Sequence, residues 1–189
     1  MNHYRTRLPE VVVLEPQRHG DKRGWFSETY RADQCAQLGL QAQFIQDNHS
    51  YTQHQGTLRG IHFQLAPYAQ TKLIRCTRGA ILDVVIDLRY GSPTYLHWVS
   101  ETLSAENGKQ LWIPKGFGHA FLTLSDDVEV HYKVDHPYVA HADRSIRYDD
   151  PNLGIVWGIE SPILSVKDHK APLLADSDVN FVYAKENPA

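Results

Sequence analysis

The chain has 189 residues, 42% of them hydrophobic, and a formal net charge of −3. That predicts a single domain over residues 1–189, with its core at about 11–174 and a C-terminal tail wrapping it. Basic residues never run longer than two, so no polyanion-binding surface is advertised and nucleic acid is excluded as a partner. Met1 to Arg7 lacks the apolar stretch of a signal peptide, and no apolar run reaches the roughly 18 residues of a membrane span, so a cytoplasmic protein with no membrane partner is expected. Cys35 and Cys76 form no CxxC pair and read as reduced, packed thiols.

In chain order, strand-like runs recur at 11–14, 44–46, 58–63, 72–77, 80–87, 97–103, 110–113, 120–124 and 128–134. A helix is expected at 31–38, stopped by Gly39, and a short one after Ser165, with Lys167 and Asp168 in its first turn. Turn signals separate the strands at Arg78-Gly79, Tyr90-Gly91-Ser92-Pro93, Asn107-Gly108, Pro114-Lys115-Gly116 and Ser125-Asp126-Asp127. This cadence predicts an all-β sandwich or barrel with a few short peripheral helices. Asn107-Gly108 is the strongest hairpin signal among the turns.

Chemistry concentrates first in Thr57-Leu58-Arg59-Gly60-Ile61-His62-Phe63-Gln64. Strict alternation puts Leu58, Gly60, His62 and Gln64 on one face and Arg59 on the other. A lone histidine in a strand is more often structural than catalytic. Nearby, however, the amide-rich Gln46-Asp47-Asn48-His49-Ser50 and the lysine that precedes the apolar Leu73-Ile74 also aim polar groups at this region. Cupin (double-stranded β-helix) barrels often hold a metal through GxxxxxHxH and PxGxxH motifs. Pro114-Lys115-Gly116-Phe117-Gly118-His119 matches the second, but Gln64 stands where the first needs histidine, and residues 65–71 contain no acid. The cavity therefore reads as metal-free, with His62 and His119 left as bases, donors or structural groups. Tyr132 is a candidate acid and Asp168 a candidate orienter; each has an ordinary structural reading as well.

The chain resembles the dTDP-4-dehydrorhamnose 3,5-epimerase family from about Val11 to Leu174. The matching motifs include Asp21-Lys22-Arg23-Gly24-Trp25-Phe26-Ser27-Glu28, Gln46-Asp47-Asn48-His49-Ser50, Leu58-Arg59-Gly60-Ile61-His62-Phe63-Gln64, Gly116-Phe117-Gly118-His119 and Leu164-Ser165-Val166-Lys167-Asp168. The resemblance implies a cofactor-independent homodimer with a cupin or jelly-roll barrel. It would invert C3 and C5 of dTDP-4-keto-6-deoxy-D-glucose to give dTDP-4-keto-L-rhamnose, for dTDP-L-rhamnose synthesis. It implies His62 as base, Asp168 orienting it, Tyr132 as proton donor and Lys72 on the enolate oxygen. Nucleotide-sugar contacts carry over to Arg23, Phe26, Glu28, Gln46, Asp47, Asn48, Arg59, His119 and Lys167, with Tyr138 stacking on the base.

Two positions depart from the family pattern: Asp143 stands where glutamate is usual, and Tyr148 where tryptophan is common. The shorter Asp143 predicts a weaker or water-bridged contact at the nucleotide end. Alternatives are a 3- or 5-monoepimerase or an enzyme using another nucleotide diphosphate. Further away lie a metal-dependent cupin oxygenase, against which the missing ligands speak, and a non-catalytic sugar-nucleotide binding protein, against which His62, Lys72, Tyr132 and Asp168 together speak.

Overall fold

The computed structural model describes residues 1–184. The strands are β1 (Asn2–Arg5), β2 (Val12–Glu15), β3 (His19–Asp21), β4 (Gly24–Phe26), β5 (Gln46–Thr52), β6 (Leu58–Gln64), β7 (Lys72–Arg78), β8 (Ala80–Asp87), β9 (Trp98–Ser104), β10 (Gln110–Ile113), β11 (Phe117–Thr123), β12 (Val128–Val134) and β13 (Asp143–Ser145). Helix α1 (Ala32–Gln37) follows β4, and α2 (Val166–His169) lies near the C-terminal end with a 3-10 turn at Leu174–Asp176. Two antiparallel sheets face each other, ordered β1-β2-β10-β7-β12-β5 and β13-β6-β11-β8-β9. From β5 onward the chain changes sheet at every step except β8 to β9, which winds it into the expected double-stranded β-helix barrel. Among the described residues, no helix is long and apolar enough to cross a membrane.

Alternation explains the layers. Ile74, Cys76 and Val130 from one sheet meet Ile81, Val85 and Phe121 from the other in the barrel interior. The outer face of the five-stranded sheet is covered by the C-terminal segment, where Trp157 and Phe181 pack with Val84, Ile86 and Leu122. Asn180 holds that segment by donating its amide to Ala66 O (2.9 Å) and accepting from Ala66 N (3.0 Å). The other sheet is covered by Cys35 and Leu40, with Tyr30 and Phe44 against Leu14, Leu73 and Trp112.

Several expectations shift. Asn107-Gly108 closes no hairpin, because β9 pairs with β8 while β10 pairs with β2 and β7. The turn chemistry is present nonetheless: the Asn107 side chain accepts from Ser104 N and Lys109 N, and Gly108 has φ +63°. It turns the chain from one sheet to the other, as Arg78-Gly79 does between β7 and β8. Strands β1, β3, β4 and β13 carry no alternating apolar signal, and in place of the strand expected at 44–46, β5 runs through the amide run from Gln46 to Thr52, where neither face is apolar over most of its length and so no alternation marks it.

The face assignment in β6 also changes. His62 pairs with His119 and Arg59 with Phe121, so Gly60 and Ile61 together oppose Ala120 alone. This bulge inserts one residue and brings Arg59 onto the same face as His62, sending Leu58 to the outer cluster. Only glycine fits at the bulge. A Cβ on Gly60, at φ +130°, would stand 2.4 Å from Ala120 Cβ.

Candidate active site

The inward residues of both sheets leave a cavity of about 270 Å3 at one end of the barrel, lined by Gln46, Asn48, His62, Gln64, Lys72 and Tyr132, with Tyr138, Asp143 and Lys167 at its rim. His62 stands on β6 in the five-stranded sheet and Tyr132 on β12 in the six-stranded sheet, so the two line opposite walls.

Asp168 is buried and reaches His62 Nε2 at 2.5 Å across a separation of 106 residues. Helix α2 sets its position. Ser165 caps the helix, accepting from Asp168 N at 3.1 Å while its hydroxyl donates to Asp168 Oδ2 at 2.9 Å. Burial works against ionisation of the Asp168 carboxyl, but the His62 contact, the Ser165 hydroxyl and the Lys167 charge outweigh it and hold the group below the usual carboxylate range. An ionised carboxylate only accepts, so His62 Nε2 is the donor in this contact, which selects the tautomer whose free lone pair is on Nδ1. The contact with Asp168 fixes the orientation of the His62 imidazole.

Lys72 is pushed down to about 8 by burial, against the opposing charges of Asp83 and Asp143. His119 lies across the β6–β11 ladder from His62, and its Nε2 sits 3.0 and 2.9 Å from the two carboxyl oxygens of Asp83. Burial drives the His119 imidazole down and the Asp83 carboxyl up, each against the charge of the other. Asp83, fully buried beside His119 and acting on Lys72 through its charge, is a partner that sequence reasoning missed. Its signal was an acid in the middle of the apolar run Ile81-Leu82-Asp83-Val84-Val85. Burial also raises the Tyr132 hydroxyl, with the Arg59 charge opposing it.

The remaining predicted residues fall in four places. Gln46, Asn48, Tyr138, Asp143 and Lys167 line the cavity, with Gln46 Nε2 donating to Asn48 Oδ1 at 2.9 Å. Asp143 accepts directly from Lys167 Nζ (2.5 Å) and Tyr138 OH (3.3 Å), so within the chain the shorter acid needs no bridging water. Arg59 is held by Thr52 Oγ1 (3.0 Å) and Tyr51 O (3.2 Å). Asp47, by contrast, alternates to the outer face and pairs with Lys133 Nζ at 2.8 Å. Arg23, Phe26 and Glu28 belong to the exposed β3–β4 region and do not line this cavity; Arg23 pairs with Asp21.

Gln64, at the place where a metal cupin would present histidine, has its amide engaged with the backbone. Nε2 donates to Tyr68 O (2.8 Å) and Pro137 O (3.2 Å), and Oε1 accepts from Val139 N (2.7 Å). It clamps two rim loops.

Comparison with known proteins extends this picture. The family model described as dTDP-4-dehydrorhamnose 3,5-epimerase matches residues 5–176. A dTDP-4-dehydrorhamnose 3,5-epimerase of Sinorhizobium fredii is 48% identical over 179 residues, covering 94% of this chain and 92% of that protein. A crystal structure from Legionella pneumophila, in complex with dTDP-4-keto-L-rhamnose, superposes with TM-score 0.91 at 40% identity over 97% of this chain and 98% of that one. A Bacillus anthracis epimerase structure with TDP and pyrophosphate bound gives TM-score 0.89 at 46% identity, over 92% of this chain and all of that one. With the family model matching residues 5–176 and relatives this similar over nearly the whole length, the chain belongs to the dTDP-4-dehydrorhamnose 3,5-epimerase family.

Proposed function

We propose that this protein is an isomerase that inverts C3 and C5 of dTDP-4-keto-6-deoxy-D-glucose through enolates, giving dTDP-4-keto-L-rhamnose for deoxysugar synthesis. The observation that carries the reading is the placement of His62 and Tyr132 on opposite walls of one cavity. Inversion requires a proton to leave one face of a carbon and return on the other, and a ketone between C3 and C5 acidifies both C–H bonds by delocalising the carbanion onto oxygen. His62 Nδ1 takes the proton, Asp168 stabilises the resulting imidazolium, Tyr132 delivers a proton from the far wall and Lys72 holds the enolate oxygen.

A cavity of about 270 Å3 falls just below the usual ligand-pocket range of about 300–1,000 Å3. It suits the sugar ring, with the diphosphate and base lying over the rim. There Lys167 offers positive charge and Tyr138 an exposed aromatic face. The scheme calls for no cofactor or metal. We take residues 1–189 as one domain of a cytoplasmic homodimer, in which Arg23, Phe26 and Glu28 of one chain serve the cavity of the other. Their exposure, together with that of Trp25, and their absence from the cavity of their own chain support that assembly.

The decisive test is incubation with dTDP-4-keto-6-deoxy-D-glucose in D2O, followed by NMR. Deuterium at both C3 and C5 with the L-configured product is the expected result. Deuterium at one carbon only would assign a 3- or 5-monoepimerase, and at neither would overturn the activity on this substrate. A pH profile adds an independent check on Lys72. Its ammonium form is present below about 8 and lost above it, so kcat/KM, which reports the free enzyme, should decline as pH rises through that value. In Lys72→Arg, whose guanidinium stays charged, that alkaline limb should disappear.

A further inference from the structure

The outer face of the six-stranded sheet carries a cluster that the cavity chemistry does not use. His49 on β5 and His131 on β12 are register partners, with their rings stacked at a centroid distance of 3.8 Å and an interplanar angle of 18°. Glu129, two residues before His131 and therefore on the same strand face, sets Oε2 3.1 Å from His49 Nε2. One ligand atom from each of the three residues lies within 4.8 Å of the others.

We propose that His49, Glu129 and His131 form a surface binding site for Zn2+, with water completing a tetrahedral shell. Two imidazoles and one carboxylate are a donor set suited to zinc and its first-row neighbours and poor for Mg2+ or Ca2+, which prefer oxygen ligands. The backbone under the site is held by the β5–β12 ladder, which runs unbroken from Val128↔Thr52 to Val134↔Gln46. Coordination therefore needs only side-chain rotation, bringing donors within 4.8 Å to the roughly 3.3 Å separation that metal–nitrogen bonds of about 2.0–2.1 Å impose in a tetrahedron.

The surrounding charges are mixed. Arg78 Nη1 lies 3.8 Å from the other Glu129 oxygen, leaving Oε2 for the metal, and Arg75 is the β7 register partner of His131. The neighbouring rung of the same ladder, Asn48↔Tyr132, faces the cavity. A bound ion would thus clip β5 to β12 directly behind the wall that presents Tyr132.

The test is calorimetric titration of the full chain with Zn2+ near neutral pH, together with imidazole NMR of the unsubstituted protein. Saturable binding of one ion per chain, with shifts confined to His49 and His131, is expected. His49→Gln and His131→Gln should lose that binding, and His97→Gln, in the loop just before β9 of the other sheet, should keep it. Unchanged affinity in His131→Gln, shifts centred on other histidines, or equal binding of Mg2+ would overturn the site. The NMR arm needs no variant to fold.

Discussion

Alanine at position 62 stops deuterium from entering the sugar at both C3 and C5, while dTDP binds as it does to the unsubstituted protein. The two outcomes separate chemistry from recognition. Among the described residues His62 is the one imidazole lining the cavity, and its Nε2 is committed to Asp168 at 2.5 Å, which leaves Nδ1 free for the proposed proton transfer. General-base catalysis contributes about 10^2–10^4-fold in rate, and in the proposed scheme both proton removals draw on the same base. Asp168→Asn keeps the imidazole but removes the ionised acceptor that fixes its tautomer, so its exchange rate should fall between those of the two proteins. Wild-type exchange at either carbon in the alanine variant would assign the base elsewhere.

In Tyr132→Phe, deuterium still enters but product with inverted carbons accumulates far more slowly, with a loss of about 10^2-fold or more expected for a missing general acid. The reason lies in the two walls. His62 on the five-stranded sheet can take a proton and return a solvent-derived one to the same face, restoring the starting configuration with label. Only a donor on the facing sheet completes the inversion. Phenylalanine keeps the packing of Tyr132 against the barrel core, so the effect isolates the hydroxyl. The ratio of exchange to inversion, measured in one NMR time course, is the readout; inversion of both carbons at full rate would remove Tyr132 from the acid role.

Much of the barrel was legible locally, because β7, β8, β10 and β12 alternate or run apolar over the lengths they occupy. Strand β5 was not, since its inner face meets a polar cavity and its outer face meets Lys133, His131 and Glu129. The Asn107-Gly108 turn was found but its partner strands were misjudged. A turn residue specifies a local backbone conformation, whereas which strands then pair depends on which edges are open in the assembled sheets.

The candidate site shows the same division. By itself the sequence determined the all-β character, the family and the residue types for proton transfer, because those follow from local pattern and from motifs of a few residues. Tertiary structure alone decided that Asp168 meets His62, that Asp83 backs His119, that Asp47 turns outward and that Arg59 shares a face with His62. The first depends on where helix α2 docks and the others on strand register, and both are set by packing over the whole barrel; at the Gly60 bulge that packing goes so far that Ala120 leaves no room for a Cβ.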